Sequence, residues 1–538
     1  MFFLTYGIYS VVSSVLLHVF RSSFAGNVSL SAGVVMTVAS LPMLFSRDNI
    51  TEALYSSRTG SSLCECIGVR MVTLVQKQRT GHMNQGFAMG VVAGTVSIAL
   101  STRSILSAML VVTVCCVTFA LPSAGIMFCA AAFLFSEDRL MVIVCLCTML
   151  AYLIKLMRGK RSAAFHVSGV IFLIFTVIVG VRVLFSRDAL DASCWKYVIF
   201  LASYFLFCFI LRNCRSSVRA MIIMSLSCGA LSVLYCLGYG VDVICSLILP
   251  DKSIDGGFIL NTVLSLRIFS GGAASVAVGT LIPLTVGMAL RSDHGVPRVL
   301  LWFCFITDVT FLAVTDSASV LVLALAATFI LLLIYGKKWV YISLAAAVPA
   351  ALAGAMFTGV GKALTASVYE RLSDTLSGYG SFLGSLPELS ASRLIFGVGS
   401  VFTDGNENFY SHLIMSFGII AFLFFLAFIA VTLGFSIRFI IKTVGIDKNR
   451  DAFDRFDSVK SAADTRLGCI SPLLSALVLL IFGLFYDLFD CGVLFMLLWA
   501  LFGICSSYRR NALKEMDKAQ SAESYTASRR NAEIMIRF

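Results

Sequence analysis

Apolar runs long enough to cross a bilayer recur along the whole of this sequence. Several last about 17 residues or more, and crossing roughly 30 Å of hydrocarbon takes about that length of helix. In lipid the backbone must satisfy its own hydrogen bonds, so only helices or closed barrels can span. Barrel strands alternate apolar and polar residues; these runs do not, and they read as helices. Charge scarcity points the same way. Charged residues make up 13% of the chain and hydrophobic residues 59%, against about 25% charged in a soluble domain. So little polar surface cannot cover the chain in water, which excludes a soluble globular enzyme. The expected fold is all-α: a polytopic transmembrane helical bundle of about 12–16 spans with a large outer-face loop.

The spans fall near 2–20, 28–45, 87–101, 105–121, 123–136, 139–155, 164–184, 195–211, 219–238, 268–290, 298–314, 318–336, 339–358, 410–435, 470–487 and 489–507. The three short runs between 87 and 136 can also be two spans, or include re-entrant pieces. The run from Phe2 to Phe20 lacks the basic start and the small-residue cleavage site of a signal peptide, and reads as a retained span. The chain then divides into N-terminal spans (1–136), a transmembrane core (137–358), a large extracytoplasmic loop (359–409), C-terminal spans (410–507) interrupted by a cytoplasmic loop at 436–469, and a basic cytoplasmic tail (508–538).

Orientation follows from counting. With the N-terminus inside and the spans alternating, 30 of the 41 Lys and Arg fall on inside segments, the asymmetry expected of cytoplasmic loops. The net charge of +12 therefore marks loops, and no nucleic-acid partner is implied. The expected location is a bacterial cytoplasmic membrane, multi-pass, with both termini in the cytoplasm. The 436–469 loop mixes charge signs and reads as a solvated connector. The tail from Tyr508 reads as polar and partly disordered, with a basic surface suited to anionic membrane lipids. The 17 cysteines, such as Cys115, Cys116, Cys145 and Cys147, lie mostly in spans without any CxxC pair, and read as small apolar residues. The five histidines, His18, His82, His166, His294 and His412, are isolated in sequence, so no metal site is expected.

Polar residues assigned to the outer face are more informative. Arg267 stands at the mouth of a span opening Ile268-Phe269-Ser270-Gly271-Gly272. Asp316 lies in Thr315-Asp316-Ser317, and the long loop supplies Arg371, Asp374, Arg393, Asp404 and Glu407. Arg182, Arg187 and Lys196 flank another outer hairpin. Several guanidinium groups with a few carboxylates suit an anionic head such as a lipid pyrophosphate, which arginine binds in bidentate fashion. A carboxylate among them can serve a sugar hydroxyl as general base. Ordinary headgroup-level charges have the same composition. Asp308, inside span 298–314, is a costly intramembrane carboxylate of the kind often used in function; it can equally be a buried partner of Arg182.

The long loop ends in Arg393-Leu394-Ile395-Phe396-Gly397-Val398-Gly399, followed by Glu407-Asn408-Phe409-Tyr410 and by Phe417-Gly418-Ile419-Ile420. Gly397 and Gly399 permit a tight turn. Glu407 and Asn408 precede a span, where they can cap it. Gly418 lets another helix approach closely. A span-entry arginine, a Thr-x-Ser, a large outer loop with arginine, a Phe-Gly-x-Gly turn, an acid-Asn-x-Tyr and a glycine 11 positions after the acid occur in that order. This series resembles the O-antigen polymerase and ligase superfamily of bacterial surface polysaccharide synthesis, over about residues 140–507 and most densely in 262–420.

The resemblance implies a membrane glycosyltransferase acting at the outer face on polyprenyl-pyrophosphate-linked glycans, with no nucleotide sugar, metal or other cofactor. Arg267 and Glu407 are then the catalytic residues. Arg371, Arg393, Asn408, Tyr410, Arg187 and Lys196 bind substrate, and Gly397, Gly399 and Gly418 form the structural motif. In ligases a histidine precedes the Asn; here Glu407 does, the polymerase-type pattern, and His412 is out of register with the ligase histidine. Ser317 is followed by Ala318 where the family often has arginine, and the family has about a dozen spans. The implied partners are the lipid-linked glycan, membrane lipids and other polysaccharide assembly proteins such as a chain-length regulator. A ligase differs only in acceptor. A lipid-linked oligosaccharide flippase is the competing class, but it should show two similar halves, and none is visible.

Overall fold

A computed structural model describes residues 118, 122–133, 138–157, 166–185, 192–248, 271–291, 296–315, 317–335, 391–397, 408–448 and 462–537. The described residues are 92% helical and contain no strand. Twelve helices follow in order: α1 Pro122–Ala132, α2 Asp138–Met157, α3 Val167–Leu184, α4 Ala192–Ile210, α5 Cys214–Ile248, α6 Gly271–Leu290, α7 Val296–Val314, α8 Ala318–Tyr335, α9 Ala391–Phe396, α10 Phe409–Lys448, α11 Ala462–Phe482 and α12 Gly492–Arg537. Seven of them (α3, α5, α6, α7, α10, α11 and α12) are long and apolar enough to cross a membrane, and α1, α2, α4 and α8 are shorter apolar helices. The chain is thus an all-α, multi-pass membrane protein. Spans expected at 2–20, 28–45, 87–101 and 339–358 lie outside the described residues, as does most of the 359–409 loop.

The chain divides into two units. Of the first, 1–125 with 147–154, the structure describes Thr118, 122–125 and 147–154; there Gly125 lies against Thr118 and Thr148. The second unit, 126–146 with 155–538, holds α3 to α12. Burial sorts its helices. The spanning windows of α6 and α12 are wholly buried and that of α11 is 83% buried, whereas α3, α7 and α10 bury a third or less. The first three are central and the others face outward, presenting Val177, Phe303, Ile306, Leu423 and Ile441 to surroundings that must be apolar.

Lipid removes the hydrophobic drive between helices, so packing and hydrogen bonds hold the bundle. Small residues make α6 a slender central rod: a Cβ on Gly287 would lie 2.0 Å from Ser471 Oγ of α11. Large rings fill the space where α3, α4, α10 and α12 meet. Phe172 lies 4.4 Å from Tyr204, 4.9 Å from Phe428 and 4.8 Å from Trp499, centroid to centroid, in the tilted geometries aromatic pairs prefer.

Side-chain links fix which helix ends lie together. At one end, Arg182 of α3 reaches Gly397, Tyr197 of α4 reaches Phe489, and Phe409 N of α10 donates to Gly483 O at 3.0 Å. At the other, Arg291 beyond α6 meets Tyr508 of α12 at 3.3 Å, Tyr335 of α8 meets Leu290 O at 3.4 Å, and Arg510 of α12 meets Cys208 O of α4 at 2.7 Å. The helices therefore run alternately between a histidine end, containing His412, and an arginine end.

Three sequence expectations are corrected. The tail from Tyr508 is not disordered: α12 runs unbroken to Arg537, and Tyr508 to Asn511 are buried. No Gly or Pro follows Gly503, and Ala, Lys, Glu, Met and Arg favour helix. The 436–469 loop is not a solvated connector throughout, since α10 continues to Lys448 and α11 begins at Ala462. Ser436, Thr443, Asp464 and Arg466 are buried within those helices. Asp308 is not a partner of Arg182: its Oδ1 accepts from Ser232 Oγ at 2.6 Å and from Cys228 Sγ at 3.7 Å, and it ties α7 to α5.

Candidate functional site

Helix α9 stops at Gly397, whose φ is +76°. Helix α10 contains a break at Gly418, with φ 84° and ψ 170°, a region open essentially to glycine alone. The two breaks sit on each other. A Cβ on Gly397 would lie 2.4 Å from Ser416 O, and one on Gly418 would lie 2.2 Å from Ile395 O. Both positions thus need glycine twice, for the backbone angle and for the room. Arg182, at the end of α3, donates from Nη2 to Gly397 O at 2.5 Å, with its guanidinium over the Phe396 ring at 5.9 Å. A cation thereby satisfies the carbonyl at the end of α9.

Asn408 starts α10. Its Oδ1 accepts from Ser411 N at 2.9 Å, and its carbonyl accepts from Ser411 Oγ at 3.0 Å, an N-cap that satisfies a donor the helix start leaves open. Tyr410 donates to Leu480 O of α11 at 2.7 Å. One turn further, His412 faces the turn at 483–491 that joins α11 to α12. Its Nδ1 is paired closely with Asp487 Oδ2, both side chains being buried. Asp487 Oδ1 accepts from Phe489 N at 2.9 Å. The imidazole lies on the Phe489 ring, 4.5 Å between centroids. Phe489 O in turn accepts from Tyr197 at 2.7 Å, and Lys196 Nζ stands over the Tyr197 ring at 4.9 Å. His412 Nε2 is buried and has no hydrogen-bond partner.

The turn is electrostatically crowded. Burial, then the nearby Asp487 charge, pushes the Asp490 carboxyl above its ordinary range, against the lowering effect of His412. Burial pushes Tyr486 up to about 12, helped by Cys491, Asp490 and Asp487. Among the described residues no group of three His, Cys, Asp or Glu could hold a metal ion. Chemically, the arrangement can exchange a proton at His412 and hold a backbone turn rigidly against it.

The structure brings together Gly397, Gly418, Asn408 and Tyr410 at the histidine end, with Lys196 on the neighbouring α4. Arg393 lies on α9. Glu407, Arg267, Arg371, Arg187 and Gly399 lie outside the described residues, as do Asp316, Asp374 and Asp404. Thr315 and Ser317, at the turn between α7 and α8, bond each other at 3.2 Å, and Thr315 bonds Ser275 of α6 at the same distance. Sequence reasoning passed over Asp487 and set His412 aside as out of register. The available signal was Asp487 and Asp490 interrupting the last pair of apolar runs. No family model, curated protein or solved structure matches this chain.

Proposed function

We propose that this protein is a membrane glycosyltransferase that polymerises a bacterial surface polysaccharide. It transfers the growing glycan from a polyprenyl-pyrophosphate carrier to a lipid-linked acceptor sugar at the outer face of the cytoplasmic membrane. The observation that carries this reading is the backbone contact between Gly397 and Gly418. Two pieces of a degenerate motif, separated by the whole segment containing Glu407 and Asn408, converge on one end of the bundle beside a buried imidazole–carboxylate pair. On this reading Arg267 and Arg371 bind the pyrophosphate and stabilise the charge that develops on the leaving group. Glu407, next to the cap residue Asn408, orients or deprotonates the acceptor hydroxyl. Exposed Arg212, Arg215, Arg219 and Arg298 at the opposite end support assigning that end to the cytoplasm, with both termini inside.

The test is the size and sidedness of the carrier-linked glycan in a Glu407→Gln strain. A single repeat unit should accumulate on its carrier at the outer face. Long polymer left on the carrier would instead identify a ligase. A repeat unit trapped on the inner face would identify a flippase.

A further inference from the structure

We infer that His412, held by Asp487, is the proton acceptor for the sugar hydroxyl in the transfer proposed above, on which this inference rests. Four observations at the histidine end carry it. First, the carboxylate engages Nδ1, so the neutral imidazole carries its hydrogen there and presents the Nε2 lone pair; the partner of one nitrogen sets the state of the other. Second, Nε2 is enclosed and bonded to nothing. Buried polar atoms nearly always have a partner, and leaving one without costs stability. The lone pair of Nε2 is therefore open to an incoming hydroxyl donor. Third, the ring cannot swing. Phe489 covers its face, and Asp487 is itself fixed by the Phe489 amide. Fourth, His412 lies four residues from the cap Asn408, on the helix whose break receives Gly397. Asp487 pairs with the imidazole from the turn, and Asp490 stands near it in the same turn.

The step balances as follows. The acceptor O–H bond breaks and its proton goes to Nε2. The acceptor oxygen bonds to the anomeric carbon of the donor glycan. The bond from that carbon to the pyrophosphate oxygen breaks, its electron pair leaving with the pyrophosphate, which needs no proton to depart. Asp487 remains a carboxylate and stabilises the imidazolium until the proton passes to water, as the buried acid does in a serine–histidine–aspartate site. Glu407 then keeps the orienting role, and His412 takes the proton.

Full-length protein in native membranes, supplied with undecaprenyl-pyrophosphate-linked repeat units extracted from a strain lacking it, provides the assay. His412→Gln should slow chain extension about 10²–10⁴-fold, the usual loss with a general base, while carrier-linked repeat units still bind. His412→Gly should regain extension when imidazole is added, and Glu407→Gln should not. A merely structural tie would lose rate without any response to imidazole. His412→Gln with wild-type rate overturns the inference, as does a slow His412→Gly that imidazole leaves unchanged. If the wild-type protein extends nothing, the glycosyltransferase reading fails with it; if the wild type extends chains and these variants behave as stated against it, this inference alone fails.

Discussion

Replacing Gly418 by alanine isolates the contact on which the site is built. The residue has φ 84° and ψ 170°, a conformation that costs a non-glycine residue about 1–3 kcal/mol. The new methyl carbon would lie 2.2 Å from Ile395 O and 2.6 Å from the Phe396 carbonyl carbon. Those are backbone atoms, so no side chain can rotate away, and forced overpacking adds about 1–3 kcal/mol. Together the two effects predict a loss of about 2–6 kcal/mol, localised to the seating of α9 on α10. Arg182 would then lose its bond to Gly397 O. The control is Gly434, also on α10, whose added Cβ would meet nothing within 4 Å. Gly434→Ala should be neutral or stabilising by up to about 1 kcal/mol, because glycine is a poor helix former. Thermal unfolding of both variants in the same detergent measures the difference. Equal unfolding midpoints for the two alanine variants would refute the argument.

Ser232→Ala removes the hydroxyl bonded to Asp308 at 2.6 Å and should lower stability by about 0.6–1.7 kcal/mol, the range for interhelical hydrogen bonds in membranes; no change in the unfolding midpoint would show that Asp308 does not link α5 to α7. Asp490→Asn should raise stability in a pH-dependent way. The carboxyl is pushed up in the fold by burial and by Asp487, so its ionisation costs folding free energy that is absent below its unfolded pKa and grows as pH rises through the folded one. The variant should therefore match the parent in acid and exceed it in thermal midpoint at neutral and alkaline pH. The opposite trend would mean that Asp490 is held down rather than up.

Legibility in the sequence varied with the kind of constraint. Apolar length alone located α2, α3, α4, α6, α7 and α8 to within a few residues, because a span must be long and uncharged. Boundaries failed where polar residues are buried. Arg509 donates to Thr432 O and Ser436 Oγ, at 3.2 and 3.1 Å, inside a helix that hydropathy ends near 435. A charge-based reading counts such a residue as loop, since it sees the guanidinium and not the carbonyl it satisfies. Within the site, Gly397, Gly418 and Asn408 were visible because backbone demands restrict the residue type. The pairing of His412 with Asp487 was not, because 75 residues separate them and no local pattern records which turn faces which helix.

The arginine end shows the limit of charge counting and also a remedy for it. Helix ends leave carbonyls without partners inside the helix, and these carry partial negative charge. Helices α4, α6 and α8 all end there. Cys208 O accepts from Arg510, Leu211 O from Asn511 and Ser507, Leu290 O from Tyr335, and Tyr335 O from Arg466. Guanidinium groups can be buried at this level because they cap helix ends, which is also how Arg182 serves Gly397 at the opposite end. Arg466 and Arg510, as caps, and Arg509, bonded to Thr432 O and Ser436 Oγ within α10, would therefore be required whichever face met the cytoplasm, and they say little about orientation. The informative residues are those that cap nothing and stand in the open. Arg212, Arg215, Arg219, Arg298, Arg438, Lys442 and Lys514 are all exposed and all belong to the arginine end, while Lys196 at the histidine end is only half-exposed. Among the described residues the asymmetry therefore survives removal of the structural arginines, and this reduced set supports the proposal that the histidine end, with His412 and Asp487, faces outward.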